Sequence, residues 1–145
     1  VDAGRQAAES TRVTRVVVDT NVFVGGSYNP GSASRRIVDA CREGRLRLVV
    51  SREVLREYER MLPRAVRRPG ELERAMEVIR AAEMVETGLK PEVVLGDPED
   101  DKFFALAWAA GAGVIITNDR LVLEIDGLEG IRVLRPNEFL GAYGE

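Results

Sequence analysis

The chain has 145 residues, 45% of them hydrophobic and 31% charged, a formal net charge of -3, one cysteine and no histidine. That is enough chain for one domain with a real core. The missing histidine excludes Ser-His-Asp and Cys-His catalysis and imidazole zinc sites. The single Cys41 excludes an internal disulfide and a thiolate zinc cage. Any chemistry must therefore come from carboxylates, hydroxyls, Arg, Lys or a hard metal ion.

There is no apolar run of about 18 residues, so no membrane span is expected. No charged start followed by an apolar core and cleavage site is present, so no secretory signal is expected either. With its lone cysteine the chain reads as cytoplasmic, and Cys41, on one face of an amphipathic stretch, reads as a packing residue.

In chain order, residues 1–13 are polar and aperiodic and read as a flexible extension, with 14–145 as a single domain. Val16–Asp19 is β-branched and predicts a buried strand. Residues 22–31 are rich in Gly, Asn and Pro and read as a loop. Ser32 or Ser34 caps a helix to about Arg42, with Gly44 as its stop. Leu46–Val50 predicts a second strand. Ser51 caps a helix through about Met61, with breaks at Pro63 and Pro69-Gly70. A further helix follows over Glu71–Ala82. Met84–Val85 and Val93–Leu95 are short apolar runs on either side of a turn at Gly88–Pro91. Asp97–Ala110 predicts a helix, capped by Asp97, with Pro98 at its first position and Gly111 at its end. It is apolar on all sides from Phe103 to Ala109 and so reads as deeply buried. Gly113–Thr117 is a strong strand. Asp119–Leu123 is a short helix, Ile131–Leu134 a last strand, and Asn137–Leu140 a closing turn. Strands alternating with helices imply an α/β fold whose mostly parallel sheet is covered by helices on both faces.

Four carboxylates are placed to converge. Asp19 and Asp119 end buried-type strands, where ligands bind in an open α/β sheet. Glu57 and Asp101 lie on helices. Carboxylates gathered in one crevice repel unless a cation neutralises them, and hard ions such as Mg²⁺ and Mn²⁺ take oxygen ligands. Each has a plainer explanation. Asp19-Thr20-Asn21 is good turn chemistry, Glu57 resembles any surface glutamate, and Asp119 can cap the short helix after it. Asp97, Glu99 and Asp100 suit the first turn of a helix in any case. Asp101 is harder to dismiss, because it lies in line with Phe104, Ala105 and Trp108. Asn21 and Thr117 stand where they can hold carboxylates in position.

Read together, Val16-Val17-Val18-Asp19-Thr20-Asn21, then Ser51 through Glu57-Tyr58, then Asp97-Pro98-Glu99-Asp100-Asp101-Lys102-Phe103-Phe104-Ala105-Leu106-Ala107, then Ile115-Ile116-Thr117-Asn118-Asp119 resemble a PIN-domain ribonuclease. The likeness spans nearly all of residues 15–140. Each piece is weak alone; their order and spacing jointly are specific. The variety they are most similar to is the VapC-like toxin component of toxin–antitoxin pairs. The resemblance implies a three-layer Rossmann-like fold and a Mg²⁺- or Mn²⁺-dependent endonuclease that cleaves RNA. Asp19, Glu57, Asp101 and Asp119 would be its catalytic and metal-binding set. Asn21 and Thr117 would support them, as would Asp97 and Asp100, which only part of the family shares. It further implies a homodimer and a small antitoxin protein whose tail fills the acidic crevice.

Basic residues cluster in the middle of the chain, and they read equally as a solvated surface or as RNA contacts. Arg35 and Arg36 are candidate RNA-binding residues, with Tyr28 in the loop after Asp19. Two rival readings stand beside the nuclease. One is a phosphotransfer domain, receiver or phosphatase-like, which also places Asp at strand ends. The other is a PIN-like module that binds RNA or a partner without cutting.

Overall fold

The computed structural model describes residues 13–87 and 98–143, with the backbone only for 98–101. The five strands are β1 (Thr14–Val18), β2 (Leu46–Val50), β3 (Glu83–Met84), β4 (Val114–Ile116) and β5 (Arg132–Leu134). They form one sheet in the order β3-β2-β1-β4-β5. Every pairing is parallel, with Val16 opposite Leu48 and Val18 opposite Ile116. The helices are α1 (Thr20–Tyr28), α2 (Ala33–Arg42), α3 (Arg52–Ala65), α4 (Pro69–Arg80), α5 (Pro98–Ala110), α6 (Arg120–Leu123) and α7 (Pro136–Tyr143).

The middle of the sheet shows why these residues fold this way. Successive strand residues point to opposite faces. Val16, Val17 and Val18 are all 0% exposed, so both faces of β1 are covered. Burying each of these side chains contributes about 1.5–3 kcal/mol, and β-branching suits them to the extended backbone. The result is the three-layer, Rossmann-like α/β arrangement expected. The strand order turns back between β1 and β4, which opens a crevice at their carboxyl ends. It also removes the receiver-domain alternative, since that fold runs 2-1-3-4-5.

Several element predictions need correction. Residues 22–28 are helix α1, not loop; the turn is confined to Asn29–Ser32. Gly25-Gly26 suggested a loop, yet here glycine serves helix packing. A Cβ on Gly26 would stand 3.1 Å from both the backbone N and Cα of Arg35, so only glycine lets α1 and α2 approach this closely. Burial of Val22 and Phe23 outweighs the poor helix propensity of the pair. Pro63 does not break α3. It sits in the last turn, where few backbone bonds are left to lose, and the helix ends with the Val66 N–H on the Leu62 carbonyl. Pro69 opens α4 at its first position instead of interrupting the chain. The expected closing turn is helix α7, likewise begun by a proline, Pro136. Helix α5 buries Phe103 to Ala107 but exposes Trp108, so it is not enclosed on all sides. The expected turn at Gly88–Pro91, the run Val93–Leu95 and the cap Asp97 lie outside the described residues.

Side chains fasten the sheet's periphery. Arg15 at the start of β1 donates to Glu83 on β3 and to the Ala110 carbonyl at the end of α5. On the outer strand β5, the Asp126 carboxylate accepts both the Val133 N–H (2.8 Å) and the Arg132 guanidinium (2.9 Å). Cys41 is partly buried, and burial pushes its thiol up to about 12, which agrees with a packing role. No helix among the described residues is long and apolar enough to cross a membrane.

Candidate active site

Asp19 is the first residue beyond β1, and its backbone N–H still joins the ladder, donating to the Ile116 carbonyl of β4 at 2.9 Å. The carboxylate is therefore delivered to the crevice by the two strands where the sheet turns back. It occupies the N-cap position of α1 without its side chain capping that helix. Instead Oδ2 accepts the Thr117 hydroxyl at 2.7 Å and the Asn21 amide at 3.2 Å. Only 8% exposed, Asp19 has its carboxyl raised above the ordinary 3.8, mainly by burial. The Thr117 hydroxyl opposes that rise, while the charges of Glu57 and then Asp119 add to it. Three of the four expected carboxylates thus share one electrostatic neighbourhood.

Each partner is set by a nearby element. Thr117, fully buried, continues β4 with its N–H on the Leu134 carbonyl of β5, and its hydroxyl also accepts the Asp119 N–H at 2.9 Å. Asn21 places its side-chain oxygen on the Asn118 N–H at 3.1 Å, which ties the first turn of α1 to the end of β4. Asp119 is half-buried and spends Oδ1 on the Leu121 N–H, capping α6. Its plainer explanation, the helix cap, is therefore real.

Glu57 is no ordinary surface glutamate. Its side chain is 10% exposed and holds Lys102 from α5 at 2.7 Å, while its other oxygen accepts the Thr20 hydroxyl. The next residue on α3, Tyr58, is fully buried and donates its hydroxyl to the Val18 carbonyl, one residue before Asp19. Burial, then the charge of Asp19, keeps that phenol protonated well beyond its ordinary range. Phe23 packs edge-on against its ring at 5.2 Å. Adjacent residues of α3 thus grip Thr20 and Val18 on either side of Asp19.

Asp100 and Asp101 stand in the first turn of α5, their side chains outside the described residues, as is Asp97 altogether. Lys102 follows directly and reaches Glu57, so that turn lies against α3 beside the crevice. Lys102 and Thr20 are the members that sequence reasoning passed over. A signal for Lys102 existed: only two of the chain's 21 basic residues are lysine, and one of them follows Asp101.

The donor set is all hard oxygen, which fits Mg²⁺ or Mn²⁺ and not a softer metal. Among the described residues no three acidic side chains form a metal cage by themselves. Part of the negative charge is already matched by Lys102.

Arg35 and Arg36 diverge. Arg35 is 8% exposed, and its guanidinium is spent on Glu71 (2.5 Å), Asp39 (3.3 Å) and the Gly26 carbonyl (3.2 Å). It staples α1, α2 and α4 together. Arg36, the next residue of α2, is exposed.

Comparison with known proteins settles the family, for residues 15–121 match the PIN domain. The chain belongs to the PIN domain family. It is also 28% identical over 143 residues to an uncharacterized protein of Methanocaldococcus jannaschii, covering 89% of this chain and 91% of that one. PIN domains are commonly nucleases, and this membership leaves the phosphatase-like alternative without support.

Proposed function

We propose that this PIN domain is a metal-dependent endoribonuclease. One observation carries the reading: the Asp19 carboxylate is buried where the sheet turns back, held by Thr117 and Asn21, and crowded by the charges of Glu57 and Asp119. Crowding of this kind is relieved by a bound cation. In this reading Asp19 and Asp101 hold Mg²⁺ or Mn²⁺, with Asp119 and Glu57 at the margin and Asp97 and Asp100 in support. The ion, when bound, supplies an activated water and neutralises charge on the phosphate.

The chain's own groups do the positioning. Thr117 and Asn21 orient Asp19; Thr20 and Lys102 orient Glu57. With no histidine the chain lacks the commonest general base, and this reading assigns the attack on phosphorus to water and not to the ribose 2′-hydroxyl. Cleavage therefore leaves 5′ phosphate and 3′ hydroxyl ends. The test is incubation of purified protein with RNA in Mg²⁺, Mn²⁺ or EDTA, beside Asp19→Asn. Cleavage that needs the metal, fails in the variant and gives those ends supports the proposal; cyclic phosphate ends overturn it.

One observation favours a second reading. Lys102 already neutralises Glu57 inside the crevice, which suits a PIN domain that binds RNA without cutting it. RNA binding without cleavage in either metal would select it. The likeness to VapC-like toxins extends the nuclease proposal to a homodimer restrained by a small antitoxin. Growth arrest on induced expression, relieved by Asp19→Asn, tests the toxin. Sedimentation velocity tests the dimer.

A further inference from the structure

On an acidic chain, helix α3 carries a stripe of positive charge. Arg52, Arg56, Arg60 and Arg64 recur every four residues and all four are exposed. Residues four apart are neighbours on one helix face. At 1.5 Å per residue the stripe advances about 6 Å per arginine and extends about 18 Å. Arg52, Arg56 and Arg64 have no carboxylate partner among the described residues, unlike Arg42, Arg45 and Arg80 elsewhere on the surface. Only Glu53 and Glu59 are exposed acids on α3, against four arginines, in a chain whose net charge is -3.

Two further features bear on what the stripe meets. Helix α3 begins directly after β2, so its first turns stand at the crevice end of the sheet, and Arg60 lies one turn beyond Glu57. At the other end, Tyr28 is 52% exposed, yet its hydroxyl is pinned to the Ala65 carbonyl at 2.5 Å. The ring is thus held open to solvent beside the last turn of α3. A line of arginines next to a fixed aromatic face is the combination that binds single-stranded nucleic acid: cations track the phosphates and the ring stacks a base.

We propose that the exposed face of α3, from Arg52 to Arg64 with Tyr28 at its end, is the track that holds single-stranded RNA beside the crevice. This rests on the ribonuclease reading but is tested apart from it. The experiment is fluorescence anisotropy of a labelled single-stranded RNA with Asp19→Asn protein in EDTA, titrated across KCl concentrations, so that cutting plays no part. Phosphate contacts from Arg52, Arg56 and Arg64 predict a slope of log affinity against log salt of about -2. Adding Arg56→Gln and Arg64→Gln should flatten that slope by about 1.4. Tyr28→Ala should weaken binding about fivefold or more with the slope unchanged. Arg45→Gln with Arg47→Gln, at the far end of the sheet, should change neither.

An unchanged slope in the α3 variant, or equal loss in the control, overturns the proposal. So does an acidic peptide whose binding depends on Arg56 and Arg64 while RNA binding does not, because the stripe would then serve a protein partner. Cleavage by the unmodified protein, assayed separately, decides the nuclease reading. Cutting with an unchanged slope sinks the track alone, and a flattened slope without cutting sinks the nuclease alone.

Discussion

Replacing Lys102 by Met tests how the crevice balances its charge. The Lys102–Glu57 pair is 2.7 Å long with side chains 12% and 10% exposed. At an effective dielectric of about 20, that separation is worth about 6 kcal/mol of attraction. Much of it offsets the cost of taking both ions out of water, so the pair itself adds little net stability. Removing one partner is a different matter. Among the described residues Glu57 would keep only the Thr20 hydroxyl, in a crevice it shares with Asp19. Breaking buried pairs costs 3–5 kcal/mol, and the residual exposure here argues for the low end, about 3 kcal/mol. In a chain of this size that lowers Tm by about 10 °C. The assay is thermal unfolding by circular dichroism in EDTA and again in MgCl₂. In EDTA, Lys102→Met should melt well below the parent, and Lys102→Arg, which keeps the charge, should lose less. Mg²⁺ should raise Tm more in Lys102→Met than in the parent, because a bound cation takes over the lost neutralisation. Equal melting temperatures in EDTA would refute the charge argument. A deficit that Mg²⁺ leaves untouched would refute the idea that this crevice takes a cation.

Other outcomes follow from the same contacts. Asp19→Asn should melt higher than the parent in EDTA, because an amide can still accept from Thr117 while the repulsion from Glu57 and Asp119 is gone; a lower Tm would contradict the crowding described. Gly26→Ala should destabilise by about 1–3 kcal/mol in urea unfolding, since the new Cβ meets Arg35 backbone at 3.1 Å, and an unchanged midpoint would show that α1 and α2 can separate freely. Asp126→Asn tests a pH effect. The Val133 N–H, then Arg132, hold the Asp126 carboxyl below its ordinary 3.8, so its stabilisation is complete above that value and is lost as pH falls through the lowered one. The stability gap between parent and variant should therefore be present at neutral pH and close in acid; a gap that widens on acidification reverses the sign.

The parts of this fold that were legible in the amino-acid order are those where local chemistry and burial agree. Three valines followed by an aspartate announce both a core strand and a residue delivered to its end, and Ile115-Ile116-Thr117 does the same for β4. Helix α1 was illegible because Gly25-Gly26 is a turn signal locally, and its reason for being helical, the backbone of Arg35, lies on another helix. Arg35 itself looked like surface charge, since nothing nearby in sequence announces Glu71 as its partner. The Glu57–Lys102 pair was hidden for the same reason: each residue is unremarkable on its own helix, and only the packing of α3 against α5 brings them together.

Asp126 has a consequence for assembly. In the outer strand β5, Arg132 and Leu134 use their backbone groups on β4, so the Val133 N–H is left pointing away from the sheet. An outward N–H of this kind is what an incoming chain would pair with to extend the sheet. Asp126 occupies it, and the opposite edge, β3, is only two residues long. Among the described residues, strand addition between molecules is discouraged at both borders, which leaves the helical faces as the surfaces better suited to association.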